Sequence, residues 1–319
     1  MIAFCSSRRD LRILSRTAEV TPFSNRGHVK LCPTTKCCSI STQRPLSSRH
    51  RYDDPMERSS VYVEGHGPLA DPAIVLVHGA PDRSTSFRGL LPYFPDRRVV
   101  LYDRRGYGRS IHAPPARAMS DHADDLLAIL DGCPVPPIVI AHSFGSNLTM
   151  LAATIRPSAF AAVGLWEPPL PWVEWWPRST KRYNAKIAAS DQPADDIEGM
   201  YRMLLSDQGW DHLRPEAQAE LRAEGAAFQT DMASELVAPF DFQDVLVPAL
   251  VGYGTATVPE QSKGARWLVD RLPNARLHAA PGAGHFAPRT HPEEFADFMG
   301  VVIAMAEAPA TSELRKAAE

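Results

Sequence analysis

Residues 137–145 read Pro-Ile-Val-Ile-Ala-His-Ser-Phe-Gly, and this is the most informative stretch of the chain. Its β-branched run predicts a buried strand, and apolar residues at helical spacing over 148–155 predict a helix directly afterwards. Ser143 stands at the junction, where a sharp turn strains the backbone and projects the hydroxyl. Ala141 and Gly145 are small, so that neighbouring backbone can pass close to the turn. The pattern indicates a nucleophilic serine between a strand and a helix.

Composition and charge narrow the class of protein. The chain has 319 residues, 44% of them apolar and 22% charged, which suits a soluble globular protein with one large α/β domain or two small ones. Residues 1–51 hold 10 Lys/Arg against 2 Asp/Glu, which leaves 24 against 35 in the remainder. An acidic body argues against a nucleic-acid surface, and no apolar run approaches the roughly 18 residues of a membrane span. We expect a small-molecule substrate, no nucleic-acid partner and no membrane insertion; the oligomeric state stays open.

Residues 1–55 are predicted to form a disordered basic leader, rich in Ser, Arg and Thr. They lack the apolar region of a secretory signal, although their arginine-rich pattern resembles an organelle transit peptide. A disordered extension, or a working start at Met56, is the favoured interpretation, which predicts a cytoplasmic protein and leaves organelle targeting open. Four of the five cysteines lie in this leader, so Cys133 stands alone in the body. Neither a disulfide framework nor a zinc pattern is indicated.

The body alternates between predicted strands and helices. Continuous apolar runs, typical of strands buried on both faces of a parallel sheet, occupy residues 73–77, 98–102, 137–141, 160–166, 248–253 and 275–279, with a short edge-strand candidate at 61–63. Helical patterns begin near Ser120 and after Ser143, and cover about 261–272 and 292–305.

Residues 171–240 interrupt the alternation, because they are polar, helix-prone and punctuated by aromatic residues. We interpret them as a helical cap inserted between strands. The predicted fold class is therefore α/β, with a mostly parallel central sheet flanked by helices. Its core falls in two parts, 56–170 and 241–305, and residues 306–319 form a flexible tail.

Four motifs stand at strand ends in a fixed order. They are His78-Gly79, the stretch Asp-Arg-Arg-Gly-Tyr-Gly-Arg-Ser at 103–110, the turn at Ser143, and Gly-Ala-Gly-His-Phe at 282–286. In this order they make residues 61–305 resemble the α/β-hydrolase superfamily. The resemblance implies the α/β-hydrolase fold and a catalytic triad of serine, histidine and an acid.

A serine hydroxyl needs a general base within hydrogen-bond reach, and histidine suits because its pKa lies near neutrality. His285 is the predicted base, since it lies on a Gly-flanked loop that the fold would bring above the serine. His142 is expected to point away from the hydroxyl, and His78 to brace the neighbouring turn. The other histidines of the body that we considered are interpreted as solvated surface residues: His112, His122, His212 and His291.

The acid departs from the family's common pattern. Most relatives carry Gly-X-X-Asp after the sixth strand, whereas residues 254–257 here read Gly-Thr-Ala-Thr. Some members take the acid from the loop after the preceding strand, where Glu167 is followed by two prolines that fix the backbone. Glu167 is therefore the predicted acid. Glu260, or no conventional acid, remains the alternative.

The resemblance places the oxyanion donors at the backbone N–H groups of Phe144 and Ala80. The charged turn at 103–105 is interpreted as structural. Asp82 is a candidate contact for substrate or leaving group. Three tryptophans of the cap either pack in its interior or line an apolar pocket: Trp172, Trp175 and Trp176.

These residues predict a serine hydrolase that cleaves an ester-like bond of a small, largely apolar substrate through an acyl-Ser143 intermediate. The mechanism needs no metal and no organic cofactor. A serine in place of aspartate argues against an epoxide hydrolase or a dehalogenase. C–C hydrolysis, peroxy-acid formation and lyase chemistry use the same triad and stay open. A non-catalytic ligand receptor is the other alternative; the missing late aspartate favours it slightly, and the retention of Ser143 with His285 argues against it.

Overall fold

One seven-stranded sheet organises residues 60–308, the part of the chain that the computed structural model describes. The strands are β1 (Val63–His66), β2 (Ile74–Val77), β3 (Val99–Tyr102), β4 (Ile138–His142), β5 (Ala162–Trp166), β6 (Ala249–Gly254) and β7 (Ala275–Ala280). Their order is β1-β3-β2-β4-β5-β6-β7, and β1 alone of these strands pairs antiparallel. The predicted mostly parallel sheet is confirmed, although its edge strand begins at Val63 rather than at residue 61.

Nine α-helices accompany the sheet within residues 60–308. They are α1 (Met119–Leu130), α2 (Phe144–Ile155), α3 (Arg178–Ala188), α4 (Pro193–Asp211), α5 (Pro215–Arg222), α6 (Gly225–Ser234), α7 (Pro259–Val269), α8 (Ala287–Thr290) and α9 (Pro292–Glu307). Several begin at a proline, whose fixed φ and missing N–H suit the first helical turn. Helix α1 begins one residue before its predicted cap, Ser120.

Alternate side chains of the central strands enter two apolar layers. Val75 and Val77 of β2 belong to the layer formed with α1, α2 and α7, whereas Ile74 and Leu76 belong to the layer formed with α9. Burying each such side chain contributes about 1.5–3 kcal/mol. Because both faces are covered, β2 to β5 are buried along their whole length, which explains their continuous apolar runs.

Helices α3 to α6 lie between β5 and β6 and form the inserted helical cap. They share an apolar cluster of their own, centred on Ile197, Trp210 and Phe228. All four fall inside residues 171–240. The predicted leader, 1–55, and most of the predicted tail, 306–319, lie outside the described residues. Of the helices that the structure describes, none combines the length and apolarity that crossing a membrane requires.

The sheet order places the loops that carry the motifs at one edge. Strands β2, β4, β5, β6 and β7 are parallel, so their carboxyl ends point the same way. The loops after them carry Gly79, Ser143, Glu167, Thr257 and His285. In open α/β sheets the ligand site lies outside these carboxyl ends.

Candidate active site

Ser143 occupies the turn between β4 and α2 in a strained conformation, with φ 54° and ψ −126°. Such a left-handed conformation costs a non-glycine residue about 1–3 kcal/mol, and the surrounding structure must enforce it. The Ser143 N–H donates to the Trp166 carbonyl at 2.8 Å. A Cβ at Gly145 would lie 2.6 Å from the Val77 carbonyl oxygen and 2.7 Å from that of His78. The small residue after the serine is therefore required by the close passage of β2.

Glu167 follows β5 directly and turns its buried carboxylate toward His285. Its Oε2 lies 2.9 Å from His285 Nδ1 and accepts the Thr257 hydroxyl at 2.9 Å. Its Oε1 accepts the Gly254 N–H at 2.9 Å. Thr257 stands where the family's usual aspartate is expected, so here a threonine donates to an acid supplied by the neighbouring loop. Glu260, in the first turn of α7, makes no hydrogen bond to His285 within residues 60–308.

His142, the residue before Ser143, ties the histidine loop to the serine turn. Its Nε2 donates to the His285 carbonyl at 2.8 Å, and the two rings lie 4.7 Å apart between centroids. Burial, with the neighbouring His285, lowers the pKa of His142 to about 3, so its ring is neutral. The sequence predicts only that this side chain points away from the serine hydroxyl, whereas in the structure its Nε2 binds the His285 backbone.

Ser143 and His285 are not hydrogen-bonded to each other in this structure. Among the described residues, the Ser143 hydroxyl has no hydrogen-bond partner. Catalytic hydrogen bonds often tighten only when substrate is bound.

The turn after β2 lies directly beside the serine. A Cβ at Gly79 would be 3.0 Å from Ser143 Cβ, so glycine permits this close approach. The Ala80 N–H donates no hydrogen bond within the described part of the chain. Phe144 is the first residue of α2, and its N–H therefore lacks an acceptor within that helix. Both donors predicted from sequence stand beside the nucleophile, and their oxyanion role stays a prediction.

His78 braces this turn from below. Its Nδ1 donates to the Gly79 carbonyl at 2.9 Å, while its Nε2 accepts the Arg104 N–H at 2.9 Å. Burial, with the nearby Arg104 charge, lowers the pKa of His78 to about 4. The ring is therefore neutral near pH 7, as an accepting Nε2 requires.

The expectation that His122 is solvated is wrong. It is 1% exposed, and its Nε2 lies 3.1 Å from Asp231 Oδ1. Cap helix α6 packs over this face of α1 and supplies the carboxylate. The partners are 109 positions apart in the chain, so no local pattern could have revealed them.

Asp82 is engaged in an ion pair beside the Gly79 turn. Its Oδ1 accepts from Arg289 Nη2 at 2.6 Å and also contacts the Ser86 hydroxyl. Although burial opposes ionisation, Arg289 holds the pKa of Asp82 below its usual value. A contact between Asp82 and substrate stays a prediction.

The cap tryptophans contact helix α7. Lys263 Nζ lies 4.2 Å from the ring centroid of Trp175, and a Cβ at Gly264 would be 3.0 Å from Trp176. Trp172 packs against the same apolar cluster as Trp176. These contacts favour the packing interpretation, and a pocket role stays a prediction.

An apolar cluster of the cap adjoins the turn at Gly79. Ala80 packs against the apolar cluster of the cap as well as against the main core. That cluster includes Met200, Phe228 and Met232. Within residues 60–308 no group of His, Cys, Asp or Glu side chains is arranged to hold a metal ion.

Comparison with known proteins identifies the family of this chain. The model of the alpha/beta hydrolase family matches residues 74–298, and the chain belongs to that family. RutD of Caulobacter sp. (strain K31), provisionally named as a carbamate hydrolase, is 26% identical over 74% of this chain and 92% of its own length. The polyketide synthase ThaQ of Burkholderia thailandensis is 28% identical over 75% of this chain.

The chain spans only 12% of the length of ThaQ. Among solved structures, a thermophilic esterase from Thermogutta terrifontis is similar with a TM-score of 0.62 and 19% identity, covering 78% of this chain and 94% of the esterase. That likeness shows the fold. The family match and the full-length likeness to RutD place the chain among the α/β hydrolases.

Proposed function

We propose that this protein is a serine hydrolase that cleaves an ester-like bond of a small, largely apolar substrate through an acyl-Ser143 intermediate. The observation that carries the proposal is the hydrogen bond of 2.9 Å between Glu167 Oε2 and His285 Nδ1, formed beside the strained Ser143 turn. This bond holds the proton on Nδ1 and leaves Nε2 free to act as a base. The serine at the nucleophile position argues against an epoxide hydrolase or a dehalogenase.

The reaction proceeds in two halves. Ser143 Oγ attacks the substrate carbonyl while His285 Nε2 takes its proton, and Glu167 stabilises the imidazolium. The developing oxyanion accepts from the N–H groups of Ala80 and Phe144; losing one such donor typically costs about 3–4 kcal/mol. The imidazolium then protonates the leaving group. Water, activated by His285, hydrolyses the acyl-enzyme and restores the serine.

The apolar cluster of the cap supports an apolar acyl or alcohol group in the substrate. Ala80 packs against this cluster, which places apolar side chains of the cap next to one of the predicted oxyanion donors. The likeness to RutD adds carbamates, which contain an ester-like carbonyl, to the substrates worth testing.

A fluorophosphonate probe tests the nucleophile. We expect wild-type protein to be labelled and Ser143→Ala to be unlabelled. Ser146→Ala is the matched control, because this serine lies one helical turn away and its hydroxyl donates to the Ala141 carbonyl at 3.0 Å. Labelling of both single variants would contradict the assignment of Ser143.

Chain-length series of p-nitrophenyl esters and carbamates then test the bond type. We expect turnover that favours short apolar acyl groups. Labelling without turnover of any ester or carbamate would instead indicate C–C hydrolysis or lyase chemistry. A folded protein that the probe does not label would support the ligand-receptor alternative.

A further inference from the structure

Arg104 joins the oxyanion turn to the cap through a completely buried guanidinium. Its Nη2 donates to the Gly79 carbonyl at 2.8 Å and to Asp231 Oδ2 at 2.8 Å. Its Nη1 donates to Asp231 Oδ1 at 3.2 Å. Both side chains of this ion pair have 0% exposure. One arginine therefore contacts a core loop and a carboxylate on cap helix α6 at once.

The bond to Gly79 has a consequence for Ala80. The Gly79 carbonyl and the Ala80 N–H belong to one planar peptide unit and point in opposite directions. The carbonyl oxygen accepts from Arg104 Nη2 and from His78 Nδ1, which together occupy its two lone pairs. Donors fixed on the oxygen fix the direction of the N–H. A charged donor on the carbonyl also polarises the peptide and strengthens the N–H as a donor.

Asp231 holds the guanidinium in this position. Besides Arg104, its carboxylate accepts the Tyr107 hydroxyl at 2.6 Å and faces His122 Nε2 at 3.1 Å. Although burial opposes ionisation, the Arg104 charge keeps the pKa of Asp231 well below its usual range. The Arg104 Cζ also lies 4.7 Å from the ring centroid of Phe144, the residue that carries the other oxyanion donor.

We propose that Arg104 is a positioning residue of the oxyanion hole and that Asp231 of the cap holds it there. The inference rests on the proposed function, because it assigns Ala80 its oxyanion role. Under this proposal α6 packs over the catalytic residues and, through Asp231, also holds Arg104 in position. An ion pair that only stabilised the fold would require no acceptor for Arg104 other than Asp231. Arg104 also donates one N–H of Nη2 to the peptide beside Ser143.

The chain supplies a matched control in the next residue. Arg105 forms a comparable two-point ion pair with Asp125, whose nearest contacts are 2.5 and 2.6 Å. Its further hydrogen bond goes to the Pro114 carbonyl at 3.3 Å, away from the Gly79 turn. The Arg105 pair is slightly more exposed, at 15% and 8%, but a loss of activity that follows from removing any Arg–Asp pair in this region would appear in both variants.

The test compares Arg104→Met/Asp231→Asn with Arg105→Met/Asp125→Asn. Changing both partners avoids leaving a single buried charge unpaired, which would be strongly destabilising. The readouts are kcat and KM on p-nitrophenyl butyrate, the rate of fluorophosphonate labelling, and inhibition by a trifluoromethyl ketone, whose adduct with serine carries an oxyanion. Arg104→Lys is the second variant, since an ammonium keeps the charge but loses the planar fork of donors.

We expect the Arg104 double variant to lose about 10- to 100-fold in kcat with KM within about twofold, since oxyanion donors act mainly in the transition state. The trifluoromethyl ketone should bind more weakly by a similar factor, and the Arg105 control should keep wild-type kcat. Arg104→Lys should also lose kcat, and this variant decides the matter if the double variant does not fold.

Wild-type kcat in a folded Arg104 variant, or an equal loss in the Arg105 control, would overturn the inference. Wild-type protein that fluorophosphonate does not label would instead overturn the proposed function itself. The two failures are thus distinguishable.

Discussion

Replacing Glu167 by glutamine should remove most of the activity while leaving the fold intact. The carboxylate receives three donors: the Gly254 N–H, the Thr257 hydroxyl and His285 Nδ1. Glutamine has the same shape, but one oxygen becomes an NH2 group that can only donate. Because the Gly254 N–H is a fixed donor, the amide oxygen must face it, and the NH2 group then faces Thr257 and His285.

This orientation reverses the tautomer of the base. Thr257 can rotate its hydroxyl to accept, and His285 can accept at Nδ1 only if its proton moves to Nε2. An Nε2–H cannot take the proton of Ser143. An aspartate-to-asparagine change in a serine protease triad, which acts through the same wrong tautomer, lowers kcat by about 10,000-fold. We therefore expect a loss of about 1,000- to 10,000-fold, or roughly 4–5.5 kcal/mol in activation free energy.

The assay is kcat on p-nitrophenyl butyrate together with the rate of fluorophosphonate labelling, with thermal unfolding as the check on folding. Glu260→Gln is the matched control, because it removes the other candidate acid from the first turn of α7. It should keep wild-type turnover. Near-normal kcat in Glu167→Gln, or a large loss in Glu260→Gln, would refute the assignment of the acid.

A relocated acid offers a second arm of the same test. Thr257 Oγ1 lies 2.9 Å from Glu167 Oε2, which in turn lies 2.9 Å from His285 Nδ1. A carboxylate at position 257 would thus stand close to the imidazole, where the family usually carries it. Glu167→Gln/Thr257→Asp should regain part of the activity that Glu167→Gln loses. Equal activity in the single and double variants would count against this geometry.

Three further changes test the surroundings of the site. His142→Phe removes the hydrogen bond to the His285 carbonyl, so the free energy of unfolding should fall by about 1 kcal/mol and kcat should fall with it; an unchanged kcat would deny His142 a positioning role. Gly145→Ala drives a Cβ to 2.6 Å from the Val77 carbonyl, so thermal unfolding should show a destabilisation of at least about 1–3 kcal/mol, and a stable, active variant would contradict it. Burial raises the pKa of Glu235 from 4.5 to about 8, so the folded state keeps a proton that the unfolded chain releases, and the free energy of unfolding should fall by up to about 1.4 kcal/mol per unit as pH rises between these values. Urea titrations of Glu235→Gln should lose that slope, and an identical slope would disprove the shift.

Glu167 shows how much of the candidate site could be predicted from the sequence. The resemblance to the α/β-hydrolase superfamily predicts Glu167 as the acid, together with its position after a predicted strand and before two prolines. The structure adds that Thr257 and Gly254, from the next strand's loop, both donate to its carboxylate. That arrangement depends on β5 and β6 being neighbours in the sheet, which no local pattern specifies.

The strands of the core could be predicted because each has a recognisable apolar pattern in the sequence. A strand buried on both faces must be apolar along its whole length, and a turn that brings backbones into contact must carry glycine. Each of these requirements concerns residues that are close together in the chain, so a short stretch such as 137–145 is enough to recognise it. For the same reason the alternation of strands and helices along the chain and the serine turn could be predicted from the sequence.

The α/β core, its helical cap and the candidate triad of Ser143, His285 and Glu167 follow from short patterns in the sequence and from the family resemblance that these patterns carry. The burial of polar groups between cap and core follows from packing alone. The sequence predicts His122 to be a solvated surface residue, and no pattern in it singles out Asp231. Their burial with Arg104 follows from the packing of α6 on the core, and a charge can be buried only where a distant partner meets it.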